Sequence, residues 1–182
     1  MENLNVYSKY YNLEDYLLTE VSAKFKKEKS LSAFDFFCIC IWKSPRQKSN
    51  IYKSLVESNT DIEHAVRDLT TDLFVLEPVD KFKRLMNIYG VNVAMASGIL
   101  TILYPDLFTV YDFRVCEHKS FSEFKNLSNM TNRDGQFLKY QSYVNKVKNI
   151  HPNVALREID KMLWGKSFYD ELTKDLKENF IR

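Results

Sequence analysis

Apolar and polar residues alternate along this chain with the spacing of an α-helix. In the segment LEDYLLTEVSAKFKK, apolar side chains recur at Leu13, Leu17, Val21 and Phe25, which places them on one helical stripe. The segment LSAFDFFCICIWKS is apolar on most sides, and we expect it to form a central buried helix. Only four glycines and four prolines interrupt such patterns in the whole sequence. The pattern therefore predicts an all-α fold.

Residues that favour helix ends divide this pattern into separate helices. Ser32, with Asp35 three positions later, is typical of an N-cap followed by an acidic first turn. Pro45 is expected to end the same helix, because the residue before a proline avoids helical backbone angles. Thr60 and Glu63 have the spacing of a capping box and predict the start of a later helix.

The last third of the chain is less regular. Residues 117–135 are polar with single aromatic residues, which predicts a short helix and a loop. Residues 136–150 have a helical pattern that Pro152 interrupts. The segment 154–180 is expected to form one helix, or two helices joined near Gly165.

These helices are expected to form a single compact all-helical unit, 1–182, with two helical lobes around a cleft. One lobe would combine residues 1–30 with residues 120–182. The other would cover residues 31–119 and contain a helix–hairpin–helix segment at 79–104. A chain of this length can bury one sizeable core or two small ones.

Composition and charge change this picture little. The chain is 45% apolar and 27% charged, which is typical of a globular protein, and its net charge is only +2. Any affinity for nucleic acid must therefore come from a local patch. Three cysteines, no secretory signal and no apolar run long enough to span a membrane predict a cytoplasmic protein without a membrane partner. Cys38 and Cys40 are two positions apart, which favours buried apolar side chains over a metal or redox motif.

One stretch, NIYGVNVAMASGIL, has the pattern of a helix end, a tight turn and a second helix. Gly90 can adopt a positive φ without steric cost, and Asn92 is the best substitute for glycine at a second left-handed position. We expect Gly90, Val91, Asn92, Val93 and Ala94 to present backbone N–H groups at the start of the second helix. Such groups bind phosphate without any side-chain charge.

This stretch, with FTVYD further on, resembles the helix–hairpin–helix DNA glycosylase superfamily, which includes endonuclease III, 8-oxoguanine glycosylase and the alkyladenine glycosylases. IYGVN corresponds to the family's hairpin, and Asp112 lies twenty-two positions after Gly90, as the family's catalytic aspartate requires. The resemblance is specific over about thirty residues and loose elsewhere. It implies double-stranded DNA as the partner and catalysis by Asp112 without a cofactor. The chain has no four-cysteine motif after Asp112, so we expect no iron–sulfur cluster, and its three histidines are far apart, so we expect no metal site. We expect a monomer.

The chain departs from the family pattern at four positions. Tyr89 replaces a proline, Asn92 replaces a glycine, and Tyr111 is inserted before the aspartate. Bifunctional members of the family carry a Schiff-base lysine where this chain has Ala94, which has no amine. The resemblance therefore implies a monofunctional glycosylase without lyase activity, or a relative that has kept the scaffold and lost the chemistry.

Asp112 has two compatible interpretations. Removal of a base from deoxyribose passes through an oxocarbenium-like sugar, which a single close carboxylate can stabilise while it orients water. The base must first be rotated out of the duplex into a pocket. The alternative interpretation is that Asp112 caps the helix that begins with FRVCEH.

Other residues are weaker candidates. Lys43, Arg46 and Lys48 are expected to contact phosphate, although cations near a helix C-terminus are also common. Arg114 is expected to contact phosphate or to pair with Asp112. A base pocket is predicted from Phe37, Trp42, Tyr111, Asp160 and Trp164. For the last two, the simpler alternative is that Trp164 lies in the core and Asp160 on the surface.

Three functions remain open from the sequence. The first is an enzyme that removes a damaged or modified base, in repair or in defence against modified foreign DNA. The second is a non-catalytic module that grips phosphate through the hairpin. The third is a structural helical adaptor. An acidic residue at the family's spacing favours the first, and the Gly-Val-Asn turn favours either of the first two over the third.

Overall fold

The structure, a computed structural model, describes residues 4–57 and 61–178. Within these ranges the chain forms helices joined by turns and loops, and no β-strand. The prediction of an all-α fold is therefore confirmed for the described residues. None of the described helices combines the length and apolar character needed to cross a membrane.

The chain divides into two compact units, Met1–Tyr104 and Pro105–Arg182, which we call the first and the second unit. The predicted lobes, 1–30 with 120–182 and 31–119, divide the chain at other points and stay a prediction.

The first unit contains seven α-helices within its described residues. They are α1 (Leu13–Tyr16), α2 (Ser22–Glu28), α3 (Ala33–Lys43), α4 (Lys48–Val56), α5 (Ile62–Val75), α6 (Pro78–Met86) and α7 (Val93–Leu103), with a π-helical turn, Leu17–Val21, between α1 and α2 and 3-10 helices at Leu4–Tyr10 and Pro45–Gln47.

Helix α7 lies at the centre of the first unit. Every residue of this helix except Ala94 is buried, and it packs against α2, α3 and α6. A helix that is apolar all round must be covered on all sides. The expectation that α3 takes this central position is wrong in part, because α3 buries Phe36 and Ile39 but leaves Phe34 58% exposed.

Local capping determines where several helices begin. Ser32 accepts the N–H of Asp35 and caps α3, as predicted. The predicted capping box fits less well, since Thr60 lies outside the described residues and Asp61 accepts the N–H of His64 at the start of α5. The Glu63 carboxylate accepts the N–H of Ala33. This hydrogen bond is a contact between α5 and α3.

The second unit contains three α-helices within its described residues. They are α8 (Phe113–Glu117), α9 (Arg133–Lys148) and α10 (Leu156–Glu178), with 3-10 helices at Lys119–Phe124 and Leu127–Asn129. The C-terminal segment therefore forms one long helix without a break at Gly165. Aromatic side chains on the inner face of α9, among them Tyr140 and Tyr143, fill the core of this unit.

Candidate nucleic-acid interface

The turn between α6 and α7 depends on a glycine. Gly90 has φ +93°, and the N–H of Val91 donates to the carbonyl of Ile88 at 3.0 Å to close the turn. Residues other than glycine rarely adopt this φ value. The predicted positive φ at Gly90 is confirmed.

The same glycine lies tightly against α4. A Cβ atom built on Gly90 would lie 2.9 Å from the Cβ of Asn50 and 3.2 Å from the Cγ1 of Ile51. The N–H of Tyr89 donates to Ser54 Oγ, also on α4, at 3.1 Å. The turn is therefore fixed on α4, and its position depends on the absence of a side chain at residue 90.

Asn92 has a different role from the one predicted. Its φ of −108° and ψ of −179° are extended, so the prediction of a second left-handed residue is wrong. Its Oδ1 instead accepts the N–H of Met95 at 3.0 Å and caps α7. No hydrogen bond among the described residues reaches the N–H groups of Val93 or Ala94. Unpaired N–H groups at a helix start favour bound anions.

A cationic segment without carboxylates lies in the same unit. Residues 43–56 contain Lys43, Arg46, Lys48 and Lys53 and no acidic residue. The aliphatic part of the Lys43 side chain packs against Gly98 of α7. A Cβ atom built on Gly98 would lie only 3.0 Å from the Cγ of Lys43. Arg46, Lys48 and Lys53 form no ion pair with any described residue. These three side chains could therefore bind phosphate without breaking an ion pair to a described residue.

Phe37, one of the residues predicted to line a base pocket, lines an open pocket within the first unit. The other lining residues of this pocket are Lys48, Ser49, Tyr52 and Lys53. Lys48, a predicted phosphate contact, therefore lies beside Phe37, a predicted pocket residue. Sequence reasoning missed the last three, although Lys48 and Tyr52 are four positions apart on one helix face. Trp42 is half-buried on α3.

In the second unit, Asp112 is half-buried at the N-cap of α8. Its Oδ1 accepts the backbone N–H of Arg114 at 3.0 Å. The capping interpretation is therefore confirmed, and the catalytic role, which is compatible with a cap, stays a prediction.

The side chain of Arg114 turns to α10. Its guanidinium pairs with the carboxylate of Glu171 and lies over the rings of Trp164 and Phe168, 5.7 and 5.9 Å from their centroids. The two rings are parallel within 4°, with centroids 5.7 Å apart. Arg114 donates to Asp112 through its backbone N–H, whereas its guanidinium pairs with Glu171 in place of the predicted pair with Asp112. Phe168 and Glu171 were missed from the sequence, although they share the helix face of Trp164.

Asp160 is buried and Trp164 is exposed, the opposite of the simpler alternative in which Trp164 lies in the core and Asp160 on the surface. Asp160 is 1% exposed and pairs with Arg157, whereas Trp164 is 42% exposed. The expectation of a core tryptophan and a surface aspartate is therefore wrong. The pair with Arg157 makes burial of the carboxylate tolerable, and the exposed indole can take part in stacking.

Tyr111 serves the core of the second unit. Its ring packs edge-on against Tyr143, and its hydroxyl donates to the carbonyl of Phe124 at 2.7 Å. Burial raises the pKa of Tyr111, so its hydroxyl stays protonated as the donor of this bond. Both ring and hydroxyl are thus occupied by neighbours, and its predicted place in a base pocket stays a prediction.

The cysteines behave as apolar core residues. Cys38 and Cys40 are 8% and 0% exposed, which confirms their interpretation as buried small side chains. Burial raises the pKa of Cys40 to about 12, so its thiol is protonated at neutral pH. Within residues 4–57 and 61–178, no three His, Cys, Asp or Glu side chains lie together as metal ligands would.

Comparison of the chain with protein-family models, with curated proteins and with solved structures gave no match.

Proposed function

We propose that this protein is a monofunctional DNA glycosylase-like enzyme that hydrolyses the N-glycosidic bond of a damaged or modified base rotated out of double-stranded DNA. The observation that carries the proposal is Asp112, a half-buried carboxylate that heads α8 at the spacing of the family's catalytic aspartate. It would stabilise the oxocarbenium-like sugar and orient the attacking water. The role would be repair, or defence against modified foreign DNA.

The turn at Gly90 supports the DNA-binding half of this proposal. In this reading the segment 79–104 is a helix–hairpin–helix, and the N–H groups of Val93 and Ala94 bind a backbone phosphate. Arg46 and Lys48 would contact further phosphates, because neither is paired with a carboxylate of the described residues. Two lobes around a cleft remain part of the proposal.

The test compares Asp112→Asn with Asp106→Asn. The asparagine amide oxygen can still accept the Arg114 N–H, so folding should change little. It cannot carry the charge that faces the sugar cation, and the excision rate should fall about a hundredfold or more. Asp106 is exposed in the same unit, and Asp106→Asn makes the same charge change without that loss.

The measurement is single-turnover excision on a panel of modified-base duplexes, with hot alkali to cleave abasic sites. Excision by Asp112→Asn at the wild-type rate would contradict the catalytic role. Borohydride should trap no covalent protein–DNA adduct with the wild type, since Ala94 has no amine. A trapped adduct would mean that a different lysine acts as nucleophile.

A non-catalytic DNA-binding module is the second candidate. It is favoured by the N–H groups of Val93 and Ala94 and by Arg46, Lys48 and Lys53, none of which has a partner among the described residues, since phosphate binding there requires no chemistry at Asp112. Duplex binding without release of any base in the panel would support this candidate.

A further inference from the structure

An open pocket in the first unit has walls suited to an aromatic anion. Its volume is about 400 Å³, and it lies between α3 and α4 with Phe37, Lys48, Ser49, Tyr52 and Lys53 as its lining residues. Sites for small organic ligands have volumes of roughly 300–1,000 Å³. The pocket is therefore large enough for one flat ring system with its polar substituents.

Two aromatic rings form the apolar wall. The centroids of Phe37 and Tyr52 are 6.2 Å apart and their planes are tilted by 51°, so the rings diverge and do not cover each other. Tyr52 is 46% exposed, so part of its side chain is open to a ligand. An exposed aromatic face of this kind stacks on any nucleobase, because every base has a π-face.

Two lysines flank these rings. Lys48 and Lys53 are five positions apart on α4, which separates them by about 7.5 Å along the axis and by about 140° around it. They therefore lie on different sides of Tyr52. Neither lysine forms an ion pair with a described residue, and no acidic residue lines the pocket. The positive charges of Lys48 and Lys53 are therefore complementary to a ligand that stacks on Tyr52 and carries an anionic group on each side of its ring.

We propose that this pocket binds an unstacked nucleotide within a single-stranded DNA segment. The base stacks on Tyr52 and Phe37, and the phosphates on its two sides contact Lys48 and Lys53. A free mononucleotide carries phosphate on one side only and leaves one lysine without a contact. A strand supplies a phosphate on both sides of each base, which matches both lysines.

Duplex DNA does not suit this pocket. Paired bases present only their edges in the grooves, because their faces are covered by the neighbouring base pairs. Phe37 and Tyr52 can contact a base face only where the strand has lost its stacking. The inference goes beyond base excision, since it requires no chemistry at Asp112.

The test measures binding of the full chain to a labelled single-stranded oligonucleotide by fluorescence anisotropy at several salt concentrations. Tyr52→Leu keeps apolar volume and loses the ring, and affinity should fall about tenfold, the usual effect of one lost stacking contact. Tyr52→Phe keeps the ring and should bind like the wild type. Equal affinity of Tyr52→Leu and wild type would overturn the proposal.

The lysines are tested by salt dependence. The double variant Lys48→Gln/Lys53→Gln should lower the slope of log K against log[salt] by about 1.4, since each phosphate contact with a single strand contributes about 0.7. The matched control, Lys26→Gln/Lys27→Gln, removes two exposed lysines of the same unit and should leave the slope unchanged. Equal effects of the two double variants would mean general electrostatic attraction and overturn the site.

Four further probes separate the ligand classes. An oligonucleotide without bases and a free mononucleotide should each bind at least about tenfold more weakly than the single strand, and polyglutamate should not displace it. A duplex of the same length, which can bind at the turn at Gly90, should have equal affinity for Tyr52→Leu and the wild type. Equal binding of either of the first two probes, displacement by polyglutamate, or an equal loss of duplex and single-strand affinity in Tyr52→Leu would overturn the proposal. The control variant Asp106→Asn should bind the single strand like the wild type. Excision is measured in a separate assay on modified-base duplexes, so failure of excision and failure of this pocket are distinguishable.

Discussion

Replacement of Gly90 by alanine tests how tightly the turn between α6 and α7 is constrained. Alanine at φ +93° has an unfavourable backbone conformation, which costs roughly 1–2 kcal/mol. Its Cβ would also lie 2.9 Å from the Cβ of Asn50, closer than side-chain carbons approach, and relief of such overpacking costs about 1–3 kcal/mol. The free energy of unfolding should therefore fall by roughly 2–5 kcal/mol.

The assay is urea unfolding followed by far-UV circular dichroism. Gly165→Ala is the matched control, because nothing lies within 4 Å of a Cβ at this helical position. Alanine is preferred to glycine within a helix, so this variant should gain about 0.5–1 kcal/mol. The same substitution is thus expected to act with opposite sign at the two sites.

A double-mutant cycle with Asn50→Gly separates the two contributions at Gly90. Without the Asn50 side chain, Gly90→Ala retains the backbone term and loses its closest contact, while the contact with Ile51 Cγ1 at 3.2 Å remains. Its effect should therefore shrink towards about 1–2 kcal/mol. An unfolding free energy of Gly90→Ala within about 0.5 kcal/mol of the wild type would refute the reasoning, since neutral surface substitutions have effects of that size.

Two further predictions concern the first unit. Ala94→Pro should weaken duplex binding while far-UV circular dichroism stays unchanged, because proline in a first helical turn removes an N–H that no helix bond uses; Ala94→Gly keeps the N–H and should keep the affinity. Although burial alone would raise the pKa of Asp35, hydrogen bonds from Lys24, Tyr16 and Ser32 hold the pKa of this carboxyl below its ordinary value of 3.8. The resulting stability is present above that value and is lost as pH falls through the lower folded pKa, so acid titration of urea unfolding should show a smaller loss for Asp35→Asn than for the wild type.

Features that depend on neighbouring residues in the sequence were predicted well. The cap at Ser32, the end of α3 before Pro45 and the positive φ at Gly90 each follow from steric or hydrogen-bonding preferences within three or four residues. Asn92 shows the limit of such reasoning. Asparagine is favoured both at left-handed positions and at N-caps, and the local sequence does not decide between them.

Features that depend on distant contacts were not predictable. Asp160 and Trp164 share a helix face by spacing, but their burial depends on which elements cover each of them. The pocket beside Phe37 likewise requires Tyr52 of another helix, 6.2 Å away between ring centroids. Single-sequence patterns give the period of a helix and say little about its neighbours.

The segment that leads to Asp112 shows how such distant contacts position a candidate catalytic group. Thr109 and Val110 are buried outside any helix, so their backbone polar groups need partners. Tyr140 donates to the carbonyl of Thr109 at 2.6 Å and accepts its N–H at 3.2 Å, and Tyr143 donates to the carbonyl of Val110 at 3.2 Å.

The spacing of the two tyrosines explains this match. Tyr140 and Tyr143 are three positions apart on α9, so they present their hydroxyls on one helix face to two consecutive residues of this buried segment. Burial raises the pKa of both phenols, so they remain protonated donors. An isolated helix of five residues is not stable in water, so α8 cannot fix its own N-cap. The position of Asp112 therefore depends on Tyr140 and Tyr143 of α9, which lie 28 and 31 positions later in the chain, and not on the short helix that it caps.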